Sequence, residues 1–118
     1  MVQPPRLSDD TIEEAILAFD DGNHAWGRYR LFVLGTTPEA MAVSTDAVRD
    51  ALQEAAISVS DARGGDVGPF LTAARAAFAA LVEYRRALPE GLRLSELNEA
   101  TDALEETAAV LEERPSEA

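Results

Sequence analysis

The stretch Asp20-Asp21-Gly22-Asn23-His24-Ala25-Trp26-Gly27-Arg28-Tyr29-Arg30-Leu31-Phe32-Val33-Leu34 decides the architecture, because it either continues a helix or breaks one. Upstream of it, Ser8-Asp9-Asp10 offers short polar side chains that cap free backbone N–H groups and acids that complement the positive helix end. Ile12, Ile16, Phe19, Trp26 and Val33 follow in steps of four, three, seven and seven, the mark of one buried helical face. That register runs through Asp20 to Asn23, where the turn-forming residues alone would suggest a stop. The reading is therefore one long helix from about Asp9 to Leu34, with a kink or split expected near Gly22 or Gly27. The rival ends the first helix at Asp21 and makes Arg28 to Leu34 a strand, since Tyr29, Leu31 and Val33 alternate with Arg28 and Arg30.

Three further blocks are bounded by plainer signals. Gly35-Thr36-Thr37-Pro38 is a stop followed by a cap with proline at the first helical position. It predicts a second helix that carries Met41, Val48, Leu52, Ala55 and Val59 inward and ends at Arg63-Gly64-Gly65-Asp66. Pro69 opens a third helix through Leu88, and Pro89-Glu90-Gly91 closes it. Ser95 is expected to cap a fourth, which buries Leu97, Leu104, Ala108 and Leu111. Connections this short make successive helices antiparallel neighbours. The expectation is an all-α, up-down four-helix bundle in a single domain spanning 1–118, with flexible tails at 1–7 and 115–118.

Composition narrows the function classes. A chain of 118 residues is long enough to bury a core without staples, and with no cysteine it has neither disulfides nor thiolate metal sites. Every basic residue is arginine, and the net charge of -12 repels nucleic acid and anionic membranes. No run is long and uncharged enough to span a bilayer, and Met1 to Arg6 lacks the basic-then-apolar pattern of a leader. A cytoplasmic protein with no membrane partner is the expectation.

The third helix has almost no polar face: Phe70, Leu71, Ala73, Ala74, Ala76, Ala77, Phe78, Ala79, Ala80, Leu81 and Val82 surround it. A helix apolar all round is ordinarily buried all round. Self-association through this helix, making a homodimer, is therefore expected, with Val43 and Ile57 off the second helix's buried stripe pointing the same way.

No arrangement of residues demands a particular chemistry. Carboxylate-bridged di-metal bundles need a Glu-x-x-His pair on each of two helices, and His24 is the sole histidine. Asp20 and His24 supply at most two ligands, and Gly64-Gly65-Asp66-Val67-Gly68-Pro69 lacks a phosphate-loop lysine. Neither a cofactor, a metal nor catalysis is expected. The glutamate pairs Glu13-Glu14, Glu105-Glu106 and Glu112-Glu113 read as solvated faces gathered towards one end. The opposite end gathers a candidate binding surface of Trp26, Arg28, Tyr29, Arg30, Tyr84, Arg85 and Arg86, flanked by Phe32 and Arg93. Tryptophan, tyrosine and arginine dominate protein-interface hot spots. Glu39, Glu83, Glu90, Glu96 and Glu99 share this end and leave it near neutral, which argues against nucleic acid as its partner. The functional expectation is a non-catalytic interaction or regulatory module with an unknown protein partner. Its alternatives are an acidic DNA mimic and a bundle with a small-ligand cavity.

Overall fold

The computed structural model describes residues 8–112; the tails expected at 1–7 and 115–118 lie outside the described residues. All regular structure among the described residues is helical. Helix α1 (Asp9–Tyr29) runs straight into a π-helical turn (Arg30–Leu34), and α2 (Pro38–Met41), α3 (Asp46–Arg63), α4 (Gly68–Ala87), a 3-10 turn (Glu90–Leu92) and α5 (Ser95–Glu112) follow.

Helix α1 begins as its sequence dictates. Ser8 is extended and its Oγ accepts from the Thr11 N–H at 3.1 Å, while Asp9 and Asp10 sit at the positive end. Ile12, Ile16, Phe19, Trp26 and Val33 are all buried. The strand alternative does not form, and the helix passes Gly22 without interruption. Gly22 serves packing: a Cβ there would overlap Leu104 Cδ2 of α5 and lie 3.1 Å from Ala103 Cβ. Hydrogen as a side chain lets the two backbones approach.

The expected second helix is instead two. α2 stops at Met41, and Ala42 to Thr45 leave the helix before α3 starts. Ser44 Oγ accepts from the Asp46 N–H at 3.3 Å, a local bond that competes with a continuous helical ladder. Met41, expected inside, is 64% exposed, whereas Val48, Leu52 and Ala55 are buried as their spacing requires. The seven-residue step from Met41 to Val48 mimics a helical face across the break.

The remaining ends follow backbone rules. At the end of α3, the Gly65 N–H bonds the Ala62 carbonyl at 3.0 Å and the Asp66 N–H bonds the Asp61 carbonyl at 2.9 Å. That paired pattern requires a left-handed residue, and Gly65 has φ 103°. Leu88 is extended because Pro89 follows it. Arg93 then reaches back, its Nε–H donating to the Leu88 carbonyl at 3.2 Å and its second guanidinium nitrogen to the Arg86 carbonyl at 3.4 Å. Ser95 does not cap α5 but is its first helical residue; the Leu97 and Asn98 amides bond the Leu94 carbonyl at 3.0 and 3.3 Å.

The long helices pack α1 on α5, α5 on α4 and α4 on α3, with a slighter contact between α1 and α3. Cross-helix pairs give the directions. Gly22 against Ala100 and Leu104, with Arg28 on Glu99, makes α1 and α5 antiparallel. Arg75 on Glu112 and Arg85 on Asn98 do the same for α4 and α5. Phe19 on Phe70 and Trp26 on Tyr84 run α1 parallel to α4 across the core. Glu13 bonds Arg63 at 2.8 Å, tying the start of α1 to the end of α3. Between the helices lie Phe19, Phe70, Leu81, Leu97 and Leu104, each worth about 1.5–3 kcal/mol when fully buried. Ala15, Ala25, Ala55, Ala74, Ala77 and Ala100 have no exposed surface at all, so the small residues serve close helix approach.

Two glycines of α1 should respond oppositely to the same change. A Cβ at Gly27 would meet nothing within 4 Å, so Gly27→Ala should gain up to about 1 kcal/mol from helix propensity in urea unfolding. Gly22→Ala gains the same propensity but overpacks a filled core, which costs about 1–3 kcal/mol, so a net loss is expected. Adding Leu104→Ala should cost less in the Gly22→Ala background than in wild type. Equal stabilisation by both alanines would show that α1 and α5 do not approach as described.

Candidate functional site

The structure brings Trp26, Tyr29 and Tyr84 together, but inside the protein. Trp26 stacks on Tyr29 with ring centres 5.7 Å apart, and Tyr84 meets both edge-on at 5.3 and 6.0 Å. Each is at most 4% exposed. Their residue types suggest a binding surface; they form instead the core of that end, because α1 and α4 run parallel and place successive aromatic turns face to face. The Tyr29 hydroxyl donates to the Leu92 carbonyl at 3.2 Å, fastening the 3-10 turn over the cluster. The Tyr84 hydroxyl is buried without a hydrogen-bond partner among the described residues. Burial raises the pKa of both hydroxyls above the ordinary tyrosine range, Tyr84 the more strongly.

The arginines stay outside, and most are engaged. Arg28 pairs with Glu99 at 2.7 Å, Arg86 with Glu83 at 3.1 Å, and Arg85 donates to Asn98 Oδ1 at 2.8 Å. Arg93 is used on the α4 carbonyls. Arg30 makes no ion pair among the described residues. Of these arginines only Arg28 and Arg86 meet a carboxylate among the described residues, and exposed pairs of this kind contribute little to stability. Because α1 and α5 are antiparallel, Glu13 and Glu112 lie towards the same end, where they are taken up by Arg63 and Arg75; Glu105-Glu106 lie nearer the middle, beyond the Ala103-Leu104 contact with α1, and Glu113 lies outside the described residues. His24 is exposed on α1. Among the described residues no three His, Asp or Glu side chains converge as metal ligands, and no helix is long and apolar enough to cross a membrane.

Two exposed apolar surfaces remain. Around the π turn, Val33 is buried while Leu31 and Phe32 stand 78% and 66% exposed, and α2, which packs on this turn, leaves Met41 exposed. The Thr36 and Thr37 amides both bond the Val33 carbonyl, at 3.1 and 2.9 Å, which closes the widened turn. Leu31 is legible in the sequence only as part of an alternating pattern, and Met41 is hidden by its apparent helical register.

The other is a groove of about 760 Å³ between α3 and α4. Ala47, Ala51, Glu54 and Ser58 form its α3 wall at steps of four, three and four; Pro69, Thr72, Ala73 and Ala76 form the α4 wall, and Asp50 stands at the edge. Small residues on both walls leave the trough open. The alanine run of α4 is the only sequence signal for it. Most of the rest of that helix's apolar circumference is covered within the chain: Phe70, Ala74, Ala77, Leu81 and Tyr84 are buried, Leu71, Phe78, Ala80 and Val82 are partly covered, and Ala79 is exposed.

Two measurements check the aromatic end. The two tyrosines of the chain are both in this cluster. The unfolded chain releases its tyrosine protons near pH 10, while the folded chain holds them to higher pH, so stability is undiminished below about pH 10 and falls above it. Phenolate absorption should accordingly appear together with loss of helicity; titration near pH 10 with helicity intact would place the hydroxyls in solvent. Removing the partnerless hydroxyl by Tyr84→Phe should leave stability unchanged or raise it by up to about 1–3 kcal/mol, whereas Tyr29→Phe should cost about 1 kcal/mol by freeing the Leu92 carbonyl.

No protein-family model matches the chain, and comparison with curated proteins and with solved structures finds no match to either.

Proposed function

We propose that the chain is a non-catalytic interaction or regulatory module, built as an up-down-up-down four-helix bundle whose working face is the groove between α3 and α4. The antiparallel pairs α1 with α5, α5 with α4 and the Glu13–Arg63 tie support the bundle reading. The observation that carries the functional reading is the groove: an open trough between two helices, with small residues on both walls, is shaped to admit another chain. The buried state of Trp26, Tyr29 and Tyr84 moves the working surface away from the arginine end. Self-association through α4 is the second form of this reading, carried by the exposed Ala76 and Ala79.

Site-specific photo-crosslinking in the native host tests it. A photoreactive residue in place of Ala76 should capture a defined partner, and the same residue in place of Glu106, on the outer face of α5, should not. A product of twice the chain's mass would identify a second copy. Absence of any product at Ala76, with the variant folded by circular dichroism, would overturn the reading.

A further inference from the structure

We infer that the α3–α4 groove takes a cationic amphipathic helix from another protein. The inference rests on the groove being the working face and names what fills it. Shape is the first argument. The α3 wall runs from Ala47 to Ser58, about 16 Å at the helical rise, and the α4 wall from Pro69 to Ala76, about 10 Å, so the two-sided part is about two turns long. A trough of that length between two helices accepts the side-chain ridge of a third, and the alanine, serine and threonine walls let its backbone come close. A helix laid there would use apolar residues of its own at steps of three and four.

Charge is the second argument and selects the partner. Asp50 and Glu54 line the groove, and no arginine does. Glu54 makes no ion pair among the described residues, while Asp50 is shared with Arg49 at 3.3 Å, a residue that does not line the groove. An incoming helix with arginine or lysine flanking its apolar stripe meets both carboxylates as its stripe is covered. A second copy of this chain brings a further net charge of -12 and its own Asp50 and Glu54 to the same place, an arrangement that like-charge repulsion opposes.

The test uses the full chain and two synthetic helical peptides of about five turns. They share one Leu/Ala stripe and differ only in carrying arginine or glutamate beside it. The arginine peptide should shift the backbone amides of Ala47, Ala51, Glu54, Ala73 and Ala76, and the glutamate peptide should not bind. Asp50→Asn with Glu54→Gln, both exposed and near-isosteric, should weaken the arginine peptide by about tenfold. Glu105→Gln with Glu106→Gln removes as much charge elsewhere and should change affinity by less than about twofold. Shifts spread over α5, or equal weakening by both double variants, would mean general attraction to an acidic protein and would overturn the inference. Equal binding of both peptides in the groove would overturn the charge argument while leaving the groove as the working face. The same amides shifting on dilution without peptide would give the groove to a second copy.

Discussion

At Gly22 the backbones of α1 and α5 come so close that a methyl group would have to displace Leu104, and much of the molecule follows from that contact. With α5 held against the middle of α1, Arg28 is carried onto Glu99 one turn and a half further along. The parallel diagonal between α1 and α4 then sets Phe19 on Phe70 and Trp26 on Tyr84, so the heavy aromatic residues close the core from within. A larger side chain at position 22 would push these layers apart along their whole length, because close-packed interiors transmit strain.

The same contact explains which parts of the molecule are legible in the sequence. The buried stripe of α1 is visible because Ile12, Ile16, Phe19, Trp26 and Val33 keep helical spacing, and the helical period is a property of the backbone. Gly22 looks like a kink because its intrinsic tendency is to weaken helices; only the neighbour across the interface reveals that it is there to admit α5. The break between α2 and α3 is invisible for the opposite reason: the spacing of Met41 and Val48 satisfies a helical period, while the Ser44 side chain settles the backbone locally. At the candidate site, sequence reasoning places Trp26, Tyr29, Tyr84 and the arginines correctly at one end and the aromatics wrongly at the surface. Amphipathic side chains go where their partners let them, and the partners come from helices distant in sequence.

Electrostatics divides the surface into two regimes. Arg28, Arg63, Arg75 and Arg86 each meet a glutamate, so a large share of the positive charge is neutralised within the chain and long-range repulsion is left to the remaining acids. The α3–α4 groove stands apart because its carboxylates border apolar walls without an arginine among them. Charge on such a border steers encounter and selects between partners of opposite sign.

The π turn at Arg30–Leu34 has an architectural consequence of its own. A π turn holds one residue more than the α repeat needs, so it behaves as an insertion absorbed into the end of a helix. Loss of a single residue within α1 would rotate everything beyond it by about 100° and turn the buried face outward. Loss of one residue within the π turn lets it tighten to an ordinary α turn, with Leu31 or Phe32 given up from a surface where neither is packed. The chain therefore carries, at the end of its longest helix, a place where its length can change while the register of its core stays the same.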